Sequence, residues 1–281
     1  MIGDNMKITL VEPQGFCFGV KSAINAAINA LSSDTPRPIY MLGQLVHNKY
    51  VIDLLEDAGI IVMTCDIIDA ISQIDHGTVI FTAHGVKPNI YTLCQSKGLS
   101  IIDTTCKFVK HIHALTKDYL DNDYTVYFLG IKNHPEYNGI VGISDRIIPI
   151  DFSTNIKYDE KSVIITQSTL NYKQVLDFFK SVPDYVEKVS EVCNASRLRQ
   201  EAAINQARGH DVCIVVGDKS SNNCRTLSES VRSNTNCIVL QVECFDDLDF
   251  DFSKVNSVAI TSGASTPNDL VNEIYNKLKL I

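Results

Sequence analysis

Three cysteines, Cys17, Cys106 and Cys193, stand 89 and 87 residues apart, each on a turn between a short apolar run and a helix-like stretch. Two further series keep the same beat. An apolar run precedes Gly at Tyr40-Met41-Leu42-Gly43, Phe128-Leu129-Gly130 and Val215-Val216-Gly217, at intervals of 87 and 87. A β-rich run precedes Thr at Val79-Ile80-Phe81-Thr82, Val163-Ile164-Ile165-Thr166 and Val258-Ala259-Ile260-Thr261, at intervals of 84 and 95. Three series in one order mark internal repetition, which must be settled before any other feature is interpreted. The period divides the chain into 1–98, 99–184 and 185–281, three units of roughly 90 residues, each small enough to lean on its neighbours.

The same period locates the chemistry. Lys7 to Val11 reads as a strand running into the turn Glu12-Pro13-Gln14-Gly15-Phe16-Cys17, and Val20 to Leu31, Ala-rich with Ile24 and Ile28 four apart, reads as a helix. The second unit repeats this with the strand Ser100-Ile101-Ile102-Asp103, Cys106 and a helix from Phe108 to Tyr119. The third has Val186 to Val189, Cys193 and a helix from Ser196 to Ala207. Strands alternating with helices build parallel sheets, and such sheets bind ligands beyond the carboxyl ends of their strands. The expected fold is therefore α/β, three units related by a pseudo-threefold axis in a trefoil, with the cysteines able to meet at its centre. Each cysteine begins a helix, where exposed N–H groups and the dipole favour the thiolate.

Composition narrows the partners. A net charge of −8 with no clustered Lys and Arg speaks against a nucleic-acid surface. The N-terminus lacks an apolar h-region, and no apolar stretch approaches the ~18 residues of a membrane span. A soluble cytoplasmic protein is expected, and nine cysteines without a secretory signal fit a reducing compartment. Cys213, Cys237 and Cys244 lie in or beside apolar runs and read as core. Cys65, Cys94 and Cys224 have no repeat partner and read as structural.

The seven histidines sort by the same logic. His76 and His210 precede strands, at the amino ends. His111 and His113 fall on the second helix and read as solvated or packed. His47 and His134 each lie four residues after a repeat glycine, and His84 two after Thr82, so all three occupy loops at the carboxyl ends. The matching loop of the third unit carries Ser221, Asn222 and Asn223.

Three repeat-matched cysteines cannot close a four-thiolate site. Zinc with an open position fits, and so does a 4Fe-4S cluster with one iron lacking a protein ligand. Zinc sites usually draw two ligands from a Cys-x-x-Cys knuckle, which this chain does not contain, and that favours the cluster. Histidines, hydroxyls and amides around it suit an anion such as a phosphate ester. Glu136 is the exception, a carboxyl able to deliver a proton, with Ser168 or Thr169 able to relay it.

Gly15-Phe16-Cys17-Phe18-Gly19-Val20, Val46-His47-Asn48, Ala83-His84-Gly85-Val86, Asp103-Thr104-Thr105-Cys106, His134-Pro135-Glu136, Thr166-Gln167-Ser168-Thr169-Leu170, Cys193-Asn194-Ala195-Ser196 with Arg199-Gln200, Ser221-Asn222-Asn223 and Gly263-Ala264-Ser265-Thr266-Pro267 carry an end-to-end resemblance to the 4-hydroxy-3-methylbut-2-enyl diphosphate reductases of isoprenoid biosynthesis. The resemblance implies a monomer built around one 4Fe-4S cluster on Cys17, Cys106 and Cys193. It implies an allylic diphosphate gripped by His47, His84, His134, Ser221, Asn222, Asn223 and Ser265, with Ser168 and Thr169 beside it. Glu136 would donate protons with Ser168, and a ferredoxin or flavodoxin would supply electrons, giving isopentenyl and dimethylallyl diphosphate. The sequence departs from the family pattern at Lys107, where Pro is usual, at Ser168 and Ser196, where Thr is common, and at Asn222, which replaces a hydroxyl. The alternatives are a quinolinate synthase-like cluster enzyme, against which the His134-Pro135-Glu136 and Ala83-His84-Gly85 stretches argue, and a zinc or redox-sensing binding protein.

Overall fold

The computed structural model describes residues 6–32, 34–46 and 48–280. It is an α/β fold with three parallel four-stranded sheets. In the first sheet β2 (Ile39–Leu42) and β4 (Thr78–Phe81) are central, flanked by β3 (Ile61–Met63) and β5 (Ser100–Asp103). In the second, β6 (Thr125–Leu129) and β8 (Ser162–Thr166) are flanked by β7 (Ile147–Ile150) and β9 (Glu187–Val189). In the third, β10 (Val212–Val216) and β12 (Ser257–Ser262) are flanked by β11 (Ile238–Val242) and β1 (Lys7–Leu10). The three strand orders are the same, save that the N-terminal β1 fills the place held by β5 and β9 elsewhere. The glycine series follows β2, β6 and β10, and the threonine series falls at the ends of β4, β8 and β12, so the sequence period is the sheet period.

Central strands carry the cores. Every residue of β4, β8 and β10 is buried, as expected for parallel strands covered on both faces. Val79 and Phe81 pack with Ile71, Ile74, Ile90 and Cys94. Val163 and Ile165 pack with Val126, Phe128, Ile112 and Ile140. Ile214 and Ile260 pack with Val271 and Ile274.

Strand pairing differs from the sequence expectation at the three strands that precede the cysteines. β5 pairs with β4, and β9 with β8, so each lies on the edge of the sheet before it in the chain. β1 pairs with β12. Each cysteine turn is therefore where the chain leaves one sheet, and the boundaries at 99 and 185 fall just ahead of strands belonging to the preceding sheet. Hydrophobic period shows that a strand exists but not which neighbour it joins.

The chain forms two compact units, one of residues 1–17, 169–174 and 192–281, the other of residues 18–168 and 175–191. The third sheet lies in the first unit, and the other two lie in the second. The helices that follow the cysteines are α1 (Phe18–Ser32), α5 (Lys107–Asp121) and α8 (Asn194–Ala207). Two shorter helices matter for the site, α6 (Pro135–Val141) and α9 (Asn222–Asn234).

Candidate active site

Each site residue sits where a strand gives way to a turn. In the second unit, Glu136 is the second residue of α6 and is 1 % exposed. The N–H of Ser168, just beyond β8, donates to one of its carboxylate oxygens and the Ser168 hydroxyl to the other, each at 2.7 Å. Burial pushes the Glu136 carboxyl up to about 7, and the two Ser168 bonds pull the other way. Desolvation of the fully buried carboxylate outweighs the two hydrogen bonds. The result is an acid that can hold a proton near neutrality and has one hydroxyl to pass it through.

His134 is the N-cap of α6, and its Nδ1 accepts from the Glu136 N–H at 3.2 Å. An accepting Nδ1 leaves the ring proton of the neutral imidazole on Nε2. His84 stands edge-on to this ring, centroids 5.5 Å apart, with its Nδ1 3.3 Å from the Thr82 hydroxyl. Two imidazoles fixed by backbone and hydroxyl partners form a donor pair suited to an oxyanion. A cleft of about 400 Å³ adjoins them, lined by Gly43, Thr82, His84, Pro135 and Asn138 among others. Cys106 is half-buried and caps α5, its N–H donating to Ala83 at 3.0 Å. His47 lies outside the described residues. Its neighbour Asn48 is buried and caps α2 (Lys49–Asp57), accepting from Val51 N–H at 3.2 Å.

The first unit holds the other two cysteines. Cys17 donates its N–H to Ala264 at 3.0 Å, the counterpart of the Cys106 bond to Ala83, and Cys193 caps α8 with its sulfur 3.4 Å from Ser196 N. Arg199, 6 % exposed, reaches across to the Cys17 turn. Its guanidinium donates to the Gly15 and Gln14 carbonyls and, at 3.2 Å, to Ala195. Its buried Nε has no hydrogen-bond partner. Burial lowers the Arg199 pKa, while Cys17, Cys193 and Glu12 raise it.

Three half-buried thiols at helix starts, two of them facing a buried cation, are a donor set suited to soft iron chemistry and fit an iron–sulfur group. Among the described residues no three His, Cys, Asp or Glu side chains gather as a single metal ion requires. A cluster asks for something different, one thiolate for each bound iron. None of the nine cysteines is in a disulfide.

Ser221, the N-cap of α9, and Asn222 are buried, Asn223 is half-buried in the same first turn, and Ser265 is buried in the turn after β12. A helix start with exposed N–H groups suits a phosphate. Asn222 has partners on both sides of its amide. Its amide nitrogen donates to the Thr169 carbonyl at 3.1 Å and hydroxyl at 2.8 Å, and its oxygen accepts from Arg225 at 3.0 Å. An amide at this position thus holds Thr169.

Of the remaining cysteines, Cys94, Cys213 and Cys224 are buried, Cys65 is exposed, and Cys237 and Cys244 are half-buried where the sequence suggested core. Cys213 and Cys224 are fully buried, their thiols pushed up to about 12 and about 11 by desolvation. Gly217 and Gly263 lack side chains because Cys224 Sγ occupies the space a Cβ would need. His111 lies 3.6 Å from Glu191, and His113 packs against Gly85 and Gly139. Arg199 is the one charged group of the site that the repeat could not rank, having no counterpart in the other units.

The sequence matches the LytB protein family over residues 8–279. It is 37 % identical over 285 residues to the 4-hydroxy-3-methylbut-2-enyl diphosphate reductase of Bacillus subtilis, covering 98 % of this chain and 91 % of that protein. It is 36 % identical over 287 residues to the enzyme of the same name from Macrococcus caseolyticus, covering 98 % and 89 %. Among solved structures, the E-1-hydroxy-2-methyl-but-2-enyl-4-diphosphate reductase of Plasmodium falciparum superposes with a TM-score of 0.89 at 28 % identity, covering 98 % of this chain and 88 % of that one. A second, described as the terminal enzyme of the non-mevalonate pathway, gives 0.66 at 29 % identity over 98 % and 100 %.

Proposed function

Because the chain belongs to the LytB family, we propose that it is an oxidoreductase that converts 4-hydroxy-3-methylbut-2-enyl diphosphate into isopentenyl and dimethylallyl diphosphate. The balance is one C–O bond broken, two electrons and two protons consumed and one water released. Cys17, Cys106 and Cys193 would hold one 4Fe-4S cluster, which when bound supplies electrons singly and an iron open to the substrate oxygen. The family match leaves the quinolinate synthase and zinc-sensor alternatives without support.

The observation that carries the proposal is the buried Glu136–Ser168 pair. A carboxyl pushed up to about 7 is matched to proton transfer near neutral pH, where its two forms are both populated. Ser168 bonds both carboxylate oxygens, so it orients the acid and offers the hydroxyl through which a proton leaves. His84 and His134, and in the first unit the start of α9 with Ser265, would grip the diphosphate. His47 joins this set by its place in the sequence. Asn222 would join this grip while bonding Thr169 twice. Arg199 offsets thiolate charge at Cys17 and Cys193.

Electrons would come from a small carrier protein, a ferredoxin or flavodoxin, and the protein would work as a cytoplasmic monomer, where nine thiols stay reduced. No helix among the described residues is long and apolar enough to cross a membrane. The test is anaerobic purification, iron and sulfide analysis, and turnover of the hydroxy-diphosphate with a chemical reductant. Full cluster loading without either isopentenyl or dimethylallyl diphosphate would overturn the reading.

A further inference from the structure

Phe18, the first residue of α1, is 68 % exposed, and the ammonium of Lys107, the first residue of α5, lies 4.7 Å from its ring centroid. Both belong to the second unit. A single exposed aromatic needs no explanation. The charge around this one does.

Residues 18–24 and 107–113, the opening two turns of α1 and α5, carry Lys21, Lys107 and Lys110 and no carboxylate, in a chain of net charge −8. Cations at helix starts oppose the macrodipole, which favours carboxylates there. Three of them in two first turns break a local rule, as natural chains do where function requires it. Asp103 bonds Lys110 at 2.7 Å and Glu191 stands 3.6 Å from His111, so the basic excess of this face rests on Lys21 and Lys107, which form no ion pair among the described residues. Lys107 also stands where the resembling family usually has Pro. Position completes the case. Phe18 directly follows Cys17 and Lys107 directly follows Cys106, so this face is one residue from two of the cysteines assigned to the cluster.

We propose that the Phe18–Lys107 face is the docking surface for a small acidic ferredoxin, resting on the reductase reading above. Two encounters supply one turnover, each oxidising one ferredoxin by a single electron. The substrate C–O bond is reduced, two protons are taken up and water leaves. The face has the character of a transient electron-transfer contact, a small apolar centre with a charged rim that steers an oppositely charged partner. The competing explanation is that the lysines serve only the negative charge of the thiolates. That explanation predicts no effect of Phe18 on the ferredoxin KM, so it is separable by experiment.

The experiment uses holoenzyme with verified iron content, as wild type, Lys107→Glu and Phe18→Ala, driven anaerobically by a reduced acidic ferredoxin or by reduced methyl viologen. A Glu at the first position of α5 suits the helix dipole, and Phe18 is exposed, so both variants should fold. Lys107→Glu is expected to raise the KM for ferredoxin about 10-fold and to flatten its salt dependence. Phe18→Ala should raise it about 3-fold through the lost apolar centre. Viologen-driven rates and iron content should stay at the wild-type level in both. An unchanged ferredoxin KM in both variants overturns the proposal. A loss of iron or of viologen-driven rate with ferredoxin KM unchanged assigns the lysines to the cluster and overturns it equally. Should wild type fail to turn over with viologen, the reductase reading falls. The docking surface is still judged by calorimetric titration with oxidised ferredoxin, where equal Kd in wild type and Lys107→Glu overturns it.

Discussion

Glu136 is held by opposing effects, burial favouring the neutral acid and two Ser168 hydrogen bonds favouring the carboxylate, and burial prevails with a value of about 7. Two predictions follow from that sign. The acid form is the proton donor, so turnover should fall as pH rises through about 7. A carboxyl whose folded pKa is raised contributes stability that is fully present below its unfolded value and is lost as pH rises through the folded one. Wild type should therefore lose thermal stability between about 4.5 and about 7, and Glu136→Gln should show less of that loss. The same variant should keep its cluster and substrate binding while its rate drops by ~10²–10⁴-fold. Steady-state kinetics within threefold of wild type would remove Glu136 from the chemistry. Glu136 was legible in the sequence because it is a lone carboxylate in a loop matched by the repeat. Arg199 stood out only within a matching stretch and without a role, because α8 buries Ser196, Arg199 and Gln200 and thus breaks the apolar periodicity by which buried faces are recognised. Since Arg199 donates to Gly15, Gln14 and Ala195, Arg199→Ala should destabilise the first unit by about 1–3 kcal/mol through unmet carbonyls, read from the urea midpoint.

At the level of elements, α6 shows how one residue can serve fold and site together. His134 caps the helix through Nδ1, which leaves Nε2–H for a ligand. His134→Ala removes both roles and should cost about 1 kcal/mol of stability in addition to affinity. His134→Asn separates them, since Asn is a strong N-cap but cannot place a donor where the imidazole Nε2 lies. The Asn variant should melt like wild type yet bind substrate about 10-fold or more weakly, the loss expected for one charge-assisted hydrogen bond. Wild-type affinity in His134→Asn would show that the imidazole makes no ligand contact. Elements themselves were largely readable, with the helices after Cys17, Cys106 and Cys193 each beginning two residues or less from the expected span or its turn. Their pairing was not. Local sequence around Lys7 carries no record that Ser257 is its partner, 250 residues away, because register is set by whichever edge is free.

For the whole molecule, the proposed cluster ligands are three of nine cysteines, Cys17, Cys106 and Cys193. Three of the other cysteines are poorly suited to substitute for them. Burial raises the Cys94, Cys213 and Cys224 thiols, the last two to about 12 and about 11, so at neutral pH they are protonated and poor ligands. Cys17→Ser, Cys106→Ser and Cys193→Ser should each abolish stable iron and sulfide binding, whereas Cys65→Ser and Cys237→Ser should leave it intact. A metal group bound only by the folded state also stabilises that state, by an amount set by its affinity. Holoprotein should therefore melt at a higher temperature than Cys106→Ser, which keeps its hydrophobic cores but loses the bound group. Anaerobic calorimetry on wild type and Cys106→Ser reads this directly. The wild-type holoprotein melting temperature in that variant would mean that Cys106 does not bind the cluster.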